Sequence, residues 1–208
     1  LVAVAGFVGI TVIGAEMIPG YSHLSHPISQ MTEEGGASKA SLDPWFILFD
    51  AMVVAFASAL PGSVSPRNDG ARLHTERGGA FLALAGCLGI TMTLWLPMNG
   101  SVLTATATGS LHELVACAIA ISSILAILFF GLGFRTSPEW SNFALYSFAT
   151  FAFASSCSIA TAYTIASGSS SQGAWQRMTA GAIVPTQRYI SRRRVVVVLL
   201  RRTALPKL

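Results

Sequence analysis

Long apolar runs alternate along this chain with short polar stretches, and run length decides what each run can become. Five runs, at about 1–18, 43–59, 78–96, 110–134 and 140–166, are apolar enough to read as helices crossing a bilayer. A crossing helix needs roughly 20 mainly apolar residues, because each residue advances the helix by about 1.5 Å through about 30 Å of hydrocarbon. The boundaries carry their own signals. Pro19-Gly20 stops the first run, since proline cannot continue a helix and glycine tolerates the turn. Asp43, Pro44 and Trp45 read as cap, first helical residue and interfacial aromatic, and the second run stops near Pro61-Gly62. Pro97 follows the third run, Ser110 reads as the cap of the fourth, and Ser137-Pro138-Glu139 as the start of the fifth. The polar stretches 20–42 and 62–77 are left as loops.

Beyond the fifth run the pattern degrades. Trp175-Gln176-Arg177 reads as the start of a sixth helix, yet the longest apolar run after it is Val195 to Leu200, flanked by arginines and too short to span. The expectation is an all-α integral membrane bundle with five clear transmembrane helices and a degraded or truncated sixth. Residues 183–208 form a basic tail whose change of style fits a shifted reading frame, which resequencing the gene would settle. The chain starts at Leu1 with neither a basic n-region nor an A-x-A site, so the first run reads as a retained helix rather than a cleaved signal peptide.

Composition supports this class. The chain is 52% hydrophobic and 11% charged, against about 25% charged in an ordinary soluble domain. The five or six helices use up all 208 residues as one membrane domain. The net charge of +4 is carried largely by the tail, from Arg188 to Lys207. Beside a membrane such a tail reads as topology, and no nucleic-acid partner is expected. Lys and Arg are densest in loop 62–77 among the loops between runs, which places that loop in the cytoplasm and loop 20–42 outside a cell membrane. Cys87, Cys117 and Cys157 all lie within apolar runs and read as packing residues.

Against this apolar background a few polar groups need a reason. Asp50 lies roughly 10 Å down the second helix from Asp43, and Phe46, Ile47, Val53 and Val54 surround it at helical spacing. A carboxylate there must face the bundle, a partner or water. Its readings are a proton, cation or metal site, or a structural carboxylate bonded to a neighbouring helix. Glu16 ends the first helix, and Glu113 opens the fourth beside His112. With Asp50 these two form a candidate intramembrane polar site. His23, His26 and His112 have the chemistry of metal ligands, zinc being the natural candidate, but the spacing is not HExxH. Interfacial histidines without a metal are the competing reading. His74 belongs to the opposite side, with Arg72 and Arg77. There is no phosphate-binding loop, no GxSxG and no Gly-rich dinucleotide turn.

Three motifs carry a family resemblance. Pro19-Gly20-Tyr21-Ser22-His23-Leu24-Ser25-His26-Pro27-Ile28-Ser29 follows the first helix, Gly109-Ser110-Leu111-His112 opens the fourth after Leu96-Pro97, and Gly173-Ala174-Trp175-Gln176-Arg177 precedes the sixth. Over about residues 1–180 the chain resembles the membrane proteins grouped as domain of unknown function 998. The resemblance implies a six-helix bundle of bacterial or archaeal membranes and directs attention to His23, His26 and His112; it supplies no mechanism. Two functions stay open. One is a non-enzymatic protein that binds or moves a small solute, ion or lipid, with Asp50 and Glu16 lining a polar path. The other is a membrane-embedded metal-dependent hydrolase, with the three histidines holding the metal and Glu113 or Asp50 activating a water.

Overall fold

A computed structural model describes residues 2–60, 69–99, 106–136 and 138–183. Six helices account for most of the described residues. They are α1 (Val2–Glu16), α2 (Lys39–Ala59), α3 (Asp69–Trp95), α4 (Ala107–Phe134), α5 (Ser141–Ser167) and a last helix, α6, over 172–183. Two 3-10 turns, Ile28–Thr32 and Pro138–Trp140, sit between them. Four helices, α2 to α5, are long and apolar enough to cross a membrane; α1 is apolar but shorter over the described residues. The tail beyond residue 183 and the suspected frame change lie outside the described residues.

The ends of the helices differ from the sequence reading in three places. α2 starts at Lys39 rather than at Asp43, and Pro44 lies inside it. Asp43 is therefore no cap; its carboxylate accepts from Lys39 Nζ at 2.6 Å, one helical turn back. Pro44 lies in the second turn of α2, where its missing N–H costs one ladder bond. α3 begins at Asp69, so most of the stretch read as loop 62–77 is helical. Its charges favour that start: Asp69 sits in the first turn, and Arg72 pairs with Glu76 one turn on at 2.8 Å. Hydropathy marked only the part of α3 that is apolar. At α4 the cap is Thr106, whose hydroxyl accepts from Gly109 N–H at 3.1 Å, in place of Ser110.

Neighbouring helices meet where one lacks a side chain. An added Cβ on Gly78 of α3 would fall 2.7 Å from the Phe130 ring of α4, and one on Gly133 of α4 would fall 2.6 Å from Thr75 of α3. The two helices thus lock reciprocally, large into absent. Lipid tails supply no hydrophobic drive between helices, so this close van der Waals contact is what holds them. α5 turns Ala144, Ser147, Ala154 and Cys157 inward. Small residues recur at spacing four along α5: Ala152 and Ser156 face outward, while Ala154 is buried and Ser158 meets Thr179 of α6 at 3.5 Å. The α4–α5 turn is pinned by an aromatic cluster. Phe134 stacks on Trp140 at 4.9 Å and meets Phe143 edge-on at 5.2 Å.

Candidate functional site

At the end of the bundle that carries residues 17–38, the chain's polar side chains form a continuous knot. It begins with Tyr21, held over the loop just after α1. Its hydroxyl donates to Pro27 O at 2.8 Å and so closes the loop on itself. His26 closes it a second time: its Nδ1 accepts from Ser22 N–H at 3.0 Å, and its own N–H donates to Ser22 O at 2.8 Å. A lone pair engaged in this way puts the proton of neutral His26 on Nε2. His23 is exposed and sets its ring edge-on to Tyr21 at 5.6 Å.

Arg177, arriving on α6, ties the knot. One guanidinium nitrogen donates to His23 O at 2.8 Å, His26 O at 2.8 Å and Gly173 O at 2.9 Å; a second donates to Tyr21 Oη, and Nε has no partner among the described residues. The same group lies 5.5 Å from the centre of the Tyr21 ring. Gln176 accepts from Ile28 N–H at 2.6 Å, and Ala174 N–H donates to Leu24 O at 2.9 Å. Gly173 is required here, since a Cβ would fall 2.8 Å from His23 O and closer still to His26 O. Burial raises the Tyr21 pKa above its usual value, with Arg177 pulling it back down. The phenol therefore stays a donor across the neutral range.

His112 belongs to the same end but to a different contact. It is 2% exposed, and its Nδ1 lies 2.7 Å from Leu96 O. A carbonyl only accepts, so Nδ1 carries the proton, and Nε2 is left buried with no partner among the described residues. The segment after α3 is also tied to the first loop: Glu34 N–H donates to Met98 O at 2.9 Å, and Asn99 Nδ2 donates to Glu34 Oε2 at 2.6 Å. The three histidines of the proposed metal set thus have separate engagements. Among the described residues no three His, Cys, Asp or Glu side chains stand together as a metal site. His112→Ala is expected to cost about 2–3 kcal/mol by leaving Leu96 O unsatisfied and a gap at the α3–α4 end, with exposed His23→Ala within about 0.5 kcal/mol. Thermal unfolding in detergent, with and without a chelator, checks this. A chelator-induced loss in the wild type that His112→Ala abolishes would restore the metal reading.

The carboxylates are spread out. Glu16 is exposed at the end of α1, Glu113 is half-buried in the early turns of α4, and Asp50 is half-buried near the middle of α2. Asp50 faces α3 at two glycines. A Cβ on Gly89 would fall 2.6 Å from Asp50 Cγ, and one on Gly86 would fall 2.9 Å from Asp50 O. No hydrogen bond or ion pair to the Asp50 carboxylate occurs among the described residues.

Helices of this length and apolarity, joined by a polar cap at one end, define a helical multi-pass membrane protein. The profile described as "Protein of unknown function (DUF998)" matches residues 1–185, and the chain belongs to that family. No curated protein and no solved structure matches it. Sequence reading missed Arg177 and Gln176 as site residues. The signal available was their place in the third motif, but their partners are backbone carbonyl and N–H groups, which every residue has.

Proposed function

We propose that this protein is a non-enzymatic membrane protein that binds or moves a small solute or ion, with Asp50 as the group that takes up its charge or an accompanying proton. The observation that supports this is the Asp50 carboxylate, lodged against Gly89 in the middle of the α2–α3 interface without a partner among the described residues. A carboxylate at membrane depth costs at least about 2.5 kcal/mol and is kept where it is used. The glycines beside it make the space that the carboxylate itself fills. Glu16 and Glu113, at helix ends, would serve the approach to Asp50 rather than share its site. The alternative, a metal-dependent hydrolase, has no comparable support, because no three His, Cys, Asp or Glu side chains stand together among the described residues.

Proton uptake is the most direct probe. The full chain is reconstituted into liposomes loaded with a pH-sensitive dye, and a potassium diffusion potential is applied. Wild type is expected to acidify the lumen faster than protein-free liposomes. Asp50→Asn, close in shape, is expected to fall to the protein-free rate. Equal rates in wild type and Asp50→Asn would sink the assignment of Asp50.

A further inference from the structure

A half-open cavity of about 150 Å³ lies beside the knot, between the end of α1 and the start of α2. Met17, Ile18, Pro19, Gly36 and Ala37 are its apolar lining residues, and Gln30, Glu33 and Ser38 are its polar ones. Glu33 is half-buried, and its carboxylate has no hydrogen-bond or ion-pair partner among the described residues. Ser38 is 2% exposed and donates its hydroxyl proton to Met31 O at 2.8 Å, so its oxygen keeps lone pairs to accept with. The Gln30 amide, with no side-chain hydrogen bond among the described residues, carries a further acceptor oxygen.

The charge around this cavity is one-sided. α1 points its C-terminal, negative end here, and no basic residue stands in its last turn. Glu16 adds an exposed carboxylate at that end, where an acid is unfavourable. The nearby cations are committed: Lys39 to Asp43 at 2.6 Å, and Arg177 to the loop carbonyls. A cation is what the cavity lacks. A metal ion fits poorly, since an oxygen-binding cation takes six or more oxygen ligands and most of this wall is apolar. A primary ammonium fits better: it offers three donors to three acceptors, and its short carbon stem can lie on Met17, Ile18 and Pro19.

We propose that this cavity binds a small primary ammonium group, with Glu33 as its charge partner and Ser38 and Gln30 as its further acceptors. The group is an aminoethyl head, carried either by a membrane lipid or by a free amine. This site is separate from Asp50 and does not rest on the role proposed there.

The test uses the purified full chain and ethanolamine as the probe, with sodium chloride at matched ionic strength as control, and reads the thermal unfolding midpoint in detergent. A parallel arm compares nanodiscs of phosphatidylglycerol alone with nanodiscs containing phosphatidylethanolamine. The expected result is a saturable rise in midpoint with ethanolamine beyond that with sodium chloride, and Glu33→Gln should weaken the apparent affinity roughly tenfold or more. A rise only in phosphatidylethanolamine nanodiscs, lost in Glu33→Gln, supports the site and names the lipid as its source. Ala37→Leu, which fills the cavity without touching its charge, should abolish either effect and replaces Glu33→Gln if that variant does not fold. No rise in either arm, or a rise that survives both substitutions, overturns the proposal.

Discussion

Arg177→Ala should be among the most damaging single changes in this protein, costing about 3 kcal/mol, because it removes one charged donor from four acceptors at once. The guanidinium serves three carbonyls and the Tyr21 hydroxyl at once, and it joins α6 to the loop after α1. Hydrogen bonds to a charged group are worth about 1.5–3 kcal/mol each, but Arg177 is only half-buried, so water replaces some of them and the sum falls short of full addition. Arg177→Lys should recover only part of the loss, because an ammonium cannot reproduce the planar fork that reaches both the carbonyls and Tyr21. Tyr21→Phe should cost about 1 kcal/mol, the worth of one neutral hydrogen bond. Unfolding midpoints in detergent give the order, and limited proteolysis gives the place: cleavage within residues 17–38 should rise in Arg177→Ala before any cut within α3 or α4. An Arg177→Ala protein as stable and as protease-resistant as wild type would show that the knot holds nothing.

The second large effect is expected at the α2–α3 interface, and its two glycines should behave differently. Gly86→Val sets its new carbon 2.9 Å from the Asp50 backbone oxygen, which cannot move without moving α2. Gly89→Val sets it against the Asp50 side chain, which can be removed. Each should cost about 3 kcal/mol, at the upper end for overpacking a well-fitted core. In the double variants with Asp50→Ala the costs should separate: Gly89→Val should be largely relieved, and Gly86→Val should not. A double-mutant cycle on the unfolding free energy measures this coupling directly. Equal relief at both positions, or none at either, would mean that Asp50 does not occupy the Gly89 notch, and the function proposed for it would fall with that geometry.

Both predictions turn on residues that the sequence marks unevenly. Asp50 stands out in any reading, because a carboxylate among Phe46, Ile47, Val53 and Val54 is costly wherever the helix lies in hydrocarbon. That its space is made by Gly86 and Gly89 is not legible, because the two glycines look like ordinary small residues of a transmembrane helix. From the sequence His112 reads as a candidate metal ligand or an interfacial histidine, and the structure gives its Nδ1 to Leu96 O. A histidine beside a glutamate advertises metal chemistry, whereas a carbonyl partner has no letter in the sequence. His23 and His26 stand in the first motif, and both meet Tyr21 at the knot. The link between the first and third motifs was missed, since about 150 residues separate Tyr21 from Arg177.

The sequence by itself determined the class, the family and the apolar extent of the helices, because each follows from local properties: hydropathy over a run, proline and glycine at its ends, and motifs in order. It placed the starts of α2 and α3 too late, since their first turns are polar and hydropathy marks only the part of a helix that lipid or core can hold. Only the tertiary structure decided which helices touch, which glycines receive which side chains, and that the loop after α1, the segment after α3 and the start of α6 form one cap. Those outcomes depend on backbone carbonyls and absent side chains meeting across the bundle, and neither leaves a pattern along the chain.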